Sequence, residues 1–274
     1  MHNHNGLTSL YAGDYIKNMM VAIDIGNSNT CMGLFDGERL VQTRHVQSSG
    51  IRSSEDTIQN VINVIRDANI ATADLNLMAI ASVVPFMTPL YEAAADNLQI
   101  KRLTLSTEMK SPLTMGYHTP NTLGVDRLAN AVAGYSKFGG PILIVDYGTA
   151  IKFDAVTDNG IYLGGAIAPG PVTAGASLSE KAAQLFEVDI IRPERAIGRS
   201  SIECLRSGLF YGIVGMVDHI ISVIVEEWTV HPRIIATGGL AAKFAGESRF
   251  IEMTLPNLTL EGIRIVAQYQ FLDM

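Results

Sequence analysis

Two runs of three short β-strands, each opened by an apolar strand that ends in Asp-x-Gly, predict an α/β chain of two tandem ribonuclease-H-like domains facing each other across a cleft. The first of these turns is Asp24-Ile25-Gly26 and the second is Asp146-Tyr147-Gly148. A third glycine turn, Thr237-Gly238-Gly239, closes another apolar strand. Long-range internal repetition outranks local propensity in choosing a fold.

Residues 1–18 lack a basic stretch followed by an apolar core, so they read as a flexible N-terminal extension that includes His2 and His4, not as a signal peptide. Folding is expected to begin at Met19 or Met20. Residues 21–36 read strand, tight turn, strand, turn: an apolar run broken only by Asp24, small polar residues at 26–30, an apolar run at 32–35, then Asp36-Gly37. Residues 38–46 supply a third strand through Leu40, Val41 and Val46. Ser53 and Asp56 offer caps to a helix whose Ile58, Val61, Ile62 and Ile65 recur at helical spacing as far as about Asn69. A buried strand at 78–84 stops at Pro85, a helix covers 88–98 and a strand 102–105. Three strands, helix, strand, helix, strand is the order of a ribonuclease-H-like unit and not of a dinucleotide-binding βαβ pair.

A loop-rich stretch, 111–121, leads to a helix running from near Asp126 to Gly139-Gly140. The second triplet of strands follows at 141–146, 151–157 and 162–168, with a hairpin turn at 158–160. Helices are expected at 174–183 and from Ser200, which has capping-box spacing to Glu203, through Trp228. A strand from Arg233 to the double glycine and a helix from Asn257 to the C-terminus complete the repeat. The domain boundary is placed at Gly139-Gly140-Pro141, giving domains at 19–139 and 140–274.

The 274 residues are 47% hydrophobic and 17% charged, enough apolar material for two cores. A net charge of −7 argues against a broad nucleic-acid-binding face. No run approaches the roughly 18 consecutive apolar residues of a membrane span, so a cytoplasmic protein is expected. Cys31 and Cys204 have neither disulfide nor metal-ligand spacing, and His45, His118, His219 and His231 share no common spacing. Cys204 reads as a core residue.

A carboxylate buried at a strand end is costly unless a cation or donor meets it. A turn of Gly, Asn, Ser and Thr presents backbone N–H groups that can receive phosphate oxygens. Asp24 is therefore expected to face a metal and the turn after it a nucleotide phosphate. Two such hairpins can grip a polyphosphate from opposite sides, and Gly238-Gly239 leaves bare backbone for an adenine ring. Each motif alone is an ordinary turn; three in this order, each after an apolar strand, are not. The chain has no Gly-x-x-x-x-Gly-Lys-[Ser/Thr] loop and no Gly-x-Gly-x-x-Gly opening a helix, which excludes the commoner phosphate-binding routes.

The three turns resemble those of sugar kinases, actins and heat-shock chaperones, the actin-like ATPase fold with its interdomain nucleotide cleft. Residues 24–30, Gly124-Val125-Asp126-Arg127 with Asn130, residues 146–150, 164–170 and 236–240 narrow the resemblance to type III pantothenate kinase, over about 20–264. That resemblance implies ATP-dependent phosphorylation of the pantothenate hydroxyl, the first step of coenzyme A biosynthesis, by a Mg²⁺-dependent homodimer. It implies that Asp24, Ile25, Gly26, Asn27, Ser28, Asn29, Thr30 and Cys31, together with Gly148, Thr149, Gly238 and Gly239, hold ATP, with Asp24 near Mg²⁺. It assigns pantothenate contacts to Tyr117, Gly124, Val125, Asp126, Arg127 and the position of Ala182. Asp126 matches the proton acceptor, and Asp146 a ligand for a monovalent cation, K⁺ or NH₄⁺.

The residue chemistry suits these roles. Phosphoryl transfer needs an aligned hydroxyl, neutralised charge and dry surroundings more than covalent help. At a helix start beside Arg127, Asp126 is expected to stay ionised, and Arg127 to orient a substrate carboxylate. Taken singly, Asp126 is a helix cap, Arg127 a surface ion pair worth little, Asp146 a capped turn and Tyr117 equally a packing or a contact residue.

The chain also departs from the family pattern. Ile151-Lys152 stand where two threonines are usual, and Ala182 where a substrate-contacting threonine is usual. Each missing hydroxyl is expected to cost about 1–2 kcal/mol, about tenfold in binding. The Lys152 ammonium is expected to occupy part of the cation site beside Asp146, leaving activity little dependent on added potassium. An alternative function, a catalytically weak nucleotide-binding regulator, draws on Ile151, Lys152 and Ala182 and is opposed by intact Asp24, Asp126, Arg127 and Asp146. The chain is too short for the extra subdomains of an actin-like polymer or a chaperone ATPase.

Overall fold

The first sheet grows outward from β1 (Met19–Ile25), in which every residue except Asp24 is buried. It is seen in a computed structural model that describes residues 19–181 and 189–271. β2 (Asn29–Asp36) and β3 (Arg39–Gln47) extend β1 as an antiparallel meander. α1 (Ser54–Asp67) starts on a reciprocal capping box, in which Ser53 Oγ accepts the Asp56 N–H and the Asp56 carboxylate accepts the Ser53 N–H. β4 (Leu75–Ser82), α2 (Thr88–Asn97) and β5 (Lys101–Thr104) complete the unit, and the sheet order is β3-β2-β1-β4-β5.

β6 (Thr114–Met115) and α3 (Val125–Phe138) lead into β7 (Ile142–Tyr147), β8 (Ala150–Val156) and β9 (Ile161–Pro169). α4 (Pro171–Lys181), α5 (Ser201–Glu226), β10 (Arg233–Thr237), α6 (Ala241–Phe244), β11 (Met253–Thr254) and α7 (Leu258–Tyr269) follow. The second sheet runs β11-β10-β7-β8-β9-β6, so its first five members repeat the first sheet in mirror order of listing, with β6 added at the edge. β6 arises in the stretch expected to be loop and β11 in one for which no element is expected; two residues carry no readable periodicity. α4 starts at Pro171, three residues before its expected start, because proline lacks only an N–H that a first helical turn leaves unused. The expected end of that helix, the Ala182 position, residues 1–18 and the C-terminal end of the last helix lie outside the described residues.

Strand alternation sorts the apolar side chains into three cores. Val21, Ile23, Ile25, Met32 and Leu34 face α1 and α2 through Val61, Ile65 and Tyr91. Leu143, Val145, Ile151 and Phe153 face α5 and α6 through Phe210, Ile213, Val217 and Phe244. The opposite faces of both sheets, with Ala22, Ala79, Ile142, Ile144 and Tyr162, meet on α3 and α7. Each large apolar side chain fully buried there stabilises the fold by roughly 1.5–3 kcal/mol. α3 and α7 touch closely because Gly262 lies against the Ala129 carbonyl, where a Cβ would collide. This central helix pair fixes the two hairpin turns relative to each other.

By length and composition α5 is apolar enough to cross a membrane, which a count of uninterrupted apolar residues does not reveal. One face instead packs on the second sheet. Its Asp218 is buried there, accepting Ser248 Oγ at 2.6 Å and Arg249 Nε at 3.1 Å. Ile202, Tyr211 and Val223 remain exposed.

Candidate active site

The β1–β2 turn is braced from behind. Gly26 N–H donates to the Asn29 carbonyl at 3.0 Å, and Ser48 ties the turn down by donating from Oγ to the Gly26 carbonyl at 2.6 Å and from N–H to the Ser28 carbonyl at 3.0 Å. Asn27, Ser28 and Asn29 are thereby left exposed at the tip. The β7–β8 turn is braced likewise, with the Thr149 carbonyl accepting Gly170 N–H at 3.1 Å and Thr173 Oγ1 at 2.7 Å. The two tips meet: Ser28 Oγ and Thr149 Oγ1 are 2.8 Å apart. Gly238, at φ 93°, lies against Tyr147 and the Asp146 carboxylate so closely that any Cβ would strike both. The three glycine turns therefore converge on one place.

Behind the tips lies a cluster of acids around one ammonium. Asp146 and Lys152 are cross-strand partners in the β7–β8 hairpin, and Lys152 Nζ is 2.8 Å from Asp146 Oδ2 and 2.7 Å from Asp126 Oδ2. Asp126, in the first turn of α3, also accepts its neighbour's N–H, from Arg127 to Oδ1 at 2.9 Å. Thr259 Oγ1 donates to Asn130 Oδ1 at 2.7 Å, which turns the amide N–H₂ of Asn130 toward Asp146 Oδ2 at 3.4 Å. Burial of the cluster works against the charge on Lys152, but Asp146 and Asp126 outweigh it and raise its pKa. The ammonium is permanent at any physiological pH.

Asp24 is differently placed. Burial raises its pKa, Asp126 and Asp146 raise it further, Lys152 lowers it, and the net position is about 7. Its cross-strand partner is Cys31, whose thiol is pushed up to about 12 by burial and then by Asp24 and Asp146. Cys31 Sγ lies 2.9 Å from His45 Nδ1. Cys31 is thus a neutral neighbour and supplies no countercharge.

Arg127 does not point freely into the cleft. Its Nε and Nη2 are each 2.8 Å from Asp154 Oδ1, and Nη2 is also 3.4 Å from the Phe153 carbonyl. Tyr162 donates to the same Asp154 oxygen at 2.7 Å, and Tyr117 packs edge-on against Tyr162 with ring centroids 6.1 Å apart. Burial pushes the Asp154 carboxyl up to about 6, while Arg127 and Tyr162 hold it down. Gly124 and Val125 form the entry to α3 beside this wall.

Asp154 went unnoticed in the sequence. Its signal is strand alternation: Lys152 and Asp154 take one face of β8 while Ile151, Phe153 and Ala155 take the other, which is buried. Two opposite charges on one face of an otherwise apolar strand mark a polar wall. Ser48, Thr173 and Thr259 brace the site from distant segments and carry no local signal. Among the described residues, no group of three His, Cys, Asp or Glu side chains could hold a metal ion by itself.

Comparison with known proteins agrees with this geometry. A family model described as type III pantothenate kinase matches residues 20–223. A type III pantothenate kinase of Geobacter sulfurreducens is 39% identical over 249 residues, covering 90% of this chain and 98% of its own length. One of Dehalococcoides mccartyi is 35% identical over 250 residues, covering 91% and 97%. Among solved structures, the ethanolamine utilization protein EutJ of Carboxydothermus hydrogenoformans aligns with a TM-score of 0.56 at 15% identity, over 90% of this chain and 89% of that one, a likeness of fold alone. With the duplicated sheet order and the paired turns, these matches establish that the chain has the actin-like ATPase fold and belongs to the type III pantothenate kinase family.

Proposed function

We propose that the chain transfers the γ-phosphoryl group of ATP to the hydroxyl of pantothenate, giving 4'-phosphopantothenate and ADP, the first step of coenzyme A biosynthesis. The observation that carries this reading is the closure of two Asp-x-Gly turns on each other at Ser28 and Thr149, directly above the Asp24, Asp126 and Asp146 carboxylates. The tips at 25–31 and at Gly148-Thr149 offer N–H and hydroxyl donors to phosphate oxygens from opposite sides; Gly238 lets the turn pack on Tyr147, and Gly239 leaves open backbone for the adenine.

Asp126 accepts the proton of the pantothenate hydroxyl as the new O–P bond forms and the bond to the ADP oxygen breaks. One lone pair of its Oδ2 meets Lys152, which leaves another for the substrate. Tyr117, Gly124 and Val125 border the pantothenate approach, and the guanidinium of Arg127, fixed by Asp154, lends a positive field to the substrate carboxylate. When bound, Mg²⁺ neutralises the phosphate charges. Asp24, an acid with no countercharge on its own hairpin, is the residue that would hold that ion. No observation favours the weak regulator.

The exposed Ile202, Tyr211 and Val223 of α5, with Leu163 and Ile167 of β9, support a homodimer. Light scattering is expected to give twice the mass of one chain; a monomer at micromolar concentration would count against it. The activity is tested by coupled ADP release with and without pantothenate. Wild type is expected to turn over only with pantothenate, and Asp126→Asn to lose about 10²-fold or more. ATP binding without turnover in wild type would overturn the reading.

A further inference from the structure

The acid cluster beneath the turns already holds a cation, and that cation is part of the chain. The antiparallel β7–β8 register sets Lys152 opposite Asp146, so the backbone, not a flexible reach, delivers the ammonium. It then bridges two carboxylates from different elements, Asp146 of β7 and Asp126 of α3, at nearly equal distances of 2.8 and 2.7 Å. The Lys152 side chain is only 18% exposed. Asn130, held by Thr259, completes the surroundings of Asp146 Oδ2. A second cation placed between these two carboxylates would have to displace the ammonium and meet its repulsion at contact distance.

We propose that Lys152 is a positioning residue that replaces an exchangeable monovalent cation: its ammonium links Asp146 to Asp126 and holds Asp126 in line for the substrate hydroxyl. The residues therefore do not fit a separate K⁺ or NH₄⁺ between Asp126 and Asp146. This inference rests on the kinase reading for its catalytic consequence, whereas its structural half, a cation site filled by the chain, stands on the geometry alone. A lysine tethered at both strand neighbours also costs no binding equilibrium, so the bridge is present at every ionic composition.

Two measurements test it. In the first, pantothenate-dependent ADP release is followed in choline, potassium and ammonium chloride at constant ionic strength. Wild type is expected to vary by less than about twofold among the salts, whereas Lys152→Ala in choline falls by about 100-fold and recovers at least about tenfold, saturably, with ammonium or potassium. Lys152→Met, whose side chain fills the space without a charge, falls and is not rescued. Strong potassium activation of wild type, unchanged in Lys152→Ala, would overturn the proposal, as would full activity of Lys152→Ala in choline.

The second measurement needs no turnover. Thermal unfolding of Lys152→Ala is expected to shift upward, saturably, on replacing choline with ammonium or potassium, because an ion that binds only the folded state stabilises it. Wild type is expected to show no such shift. A saturable shift in wild type would refute the filled site, and that arm requires no variant to fold. Absence of any pantothenate-dependent turnover with normal unfolding behaviour would refute the kinase reading and leave the filled cation site standing.

Discussion

The two Asp-x-Gly hairpins share one plan and differ in the residue that stands opposite the acid. In β1–β2, Asp24 faces Cys31 across the strands; in β7–β8, Asp146 faces Lys152. The first turn is also the longer, since Asp24 pairs seven residues ahead and Asp146 only six. That extra residue leaves the exposed Asn27, Ser28 and Asn29 at the first tip. The consequence is a division of labour within a duplicated unit. One hairpin keeps its acid unneutralised, with its pKa drawn up to about 7, ready for an incoming cation. The other satisfies its acid from within and extends the same ammonium to Asp126. The duplicated backbone supplies the clamp, and the cross-strand residue decides whether each side is filled or waiting.

The sharpest way to break this comparison is to neutralise each acid in turn and read stability without ligands. Asp146→Asn is expected to destabilise the protein by roughly 2 kcal/mol, less than the full loss of a buried pair because Asp126 still holds the ammonium. Asp24→Asn is expected to do the opposite. Because the folded protein binds the Asp24 proton more tightly than the unfolded chain, with a pKa near 7 against 3.8, the stability this group contributes is complete below about pH 4 and lost as pH rises through 7. The substitution removes that loss. It should stabilise the protein at pH 8 by about 1–2 kcal/mol after allowance for residual hydration, with the difference fading toward pH 4. Urea denaturation in metal-free buffer at several pH values checks both variants; destabilisation of the same size in both would erase the distinction between the hairpins.

The comparison was half legible in the sequence. Both acids, the glycines after them and the start of α3 at Asp126 are local patterns, set by strand ends and by helix-initiating residues within a few positions. Lys152 beside Asp146 follows from a tight hairpin, where register is nearly dictated by turn length. The partnership of Arg127 with Asp154 was not legible as such, because it joins a helix to a strand 27 positions away and depends on how α3 seats on the second sheet. Arg127 is expected to orient a substrate carboxylate, and the fold commits two of its nitrogens to Asp154 and the Phe153 carbonyl. The role of α7 was hidden for the same reason. An amphipathic helix at the C-terminus announces a buried face, but not that the face fills the space between two sheets and carries Thr259 to Asn130.

The smallest expected effect concerns the place where the hairpins touch. Ser28 Oγ and Thr149 Oγ1 are hydrogen-bonded but exposed, so removing either hydroxyl should change the stability of the empty protein by less than about 0.5 kcal/mol. If the tips are halves of a phosphate clamp, each hydroxyl also loses its own contact with ATP, and Ser28→Ala or Thr149→Ala should raise the KM for ATP by about three- to tenfold with little change in kcat. The double variant separates contact from mere neighbourhood. Two hydroxyls that each bind a different phosphate oxygen lose affinity additively, so the two factors should multiply. A double variant no worse than either single one would mean that the hydroxyls serve each other and that the tips close without gripping the nucleotide.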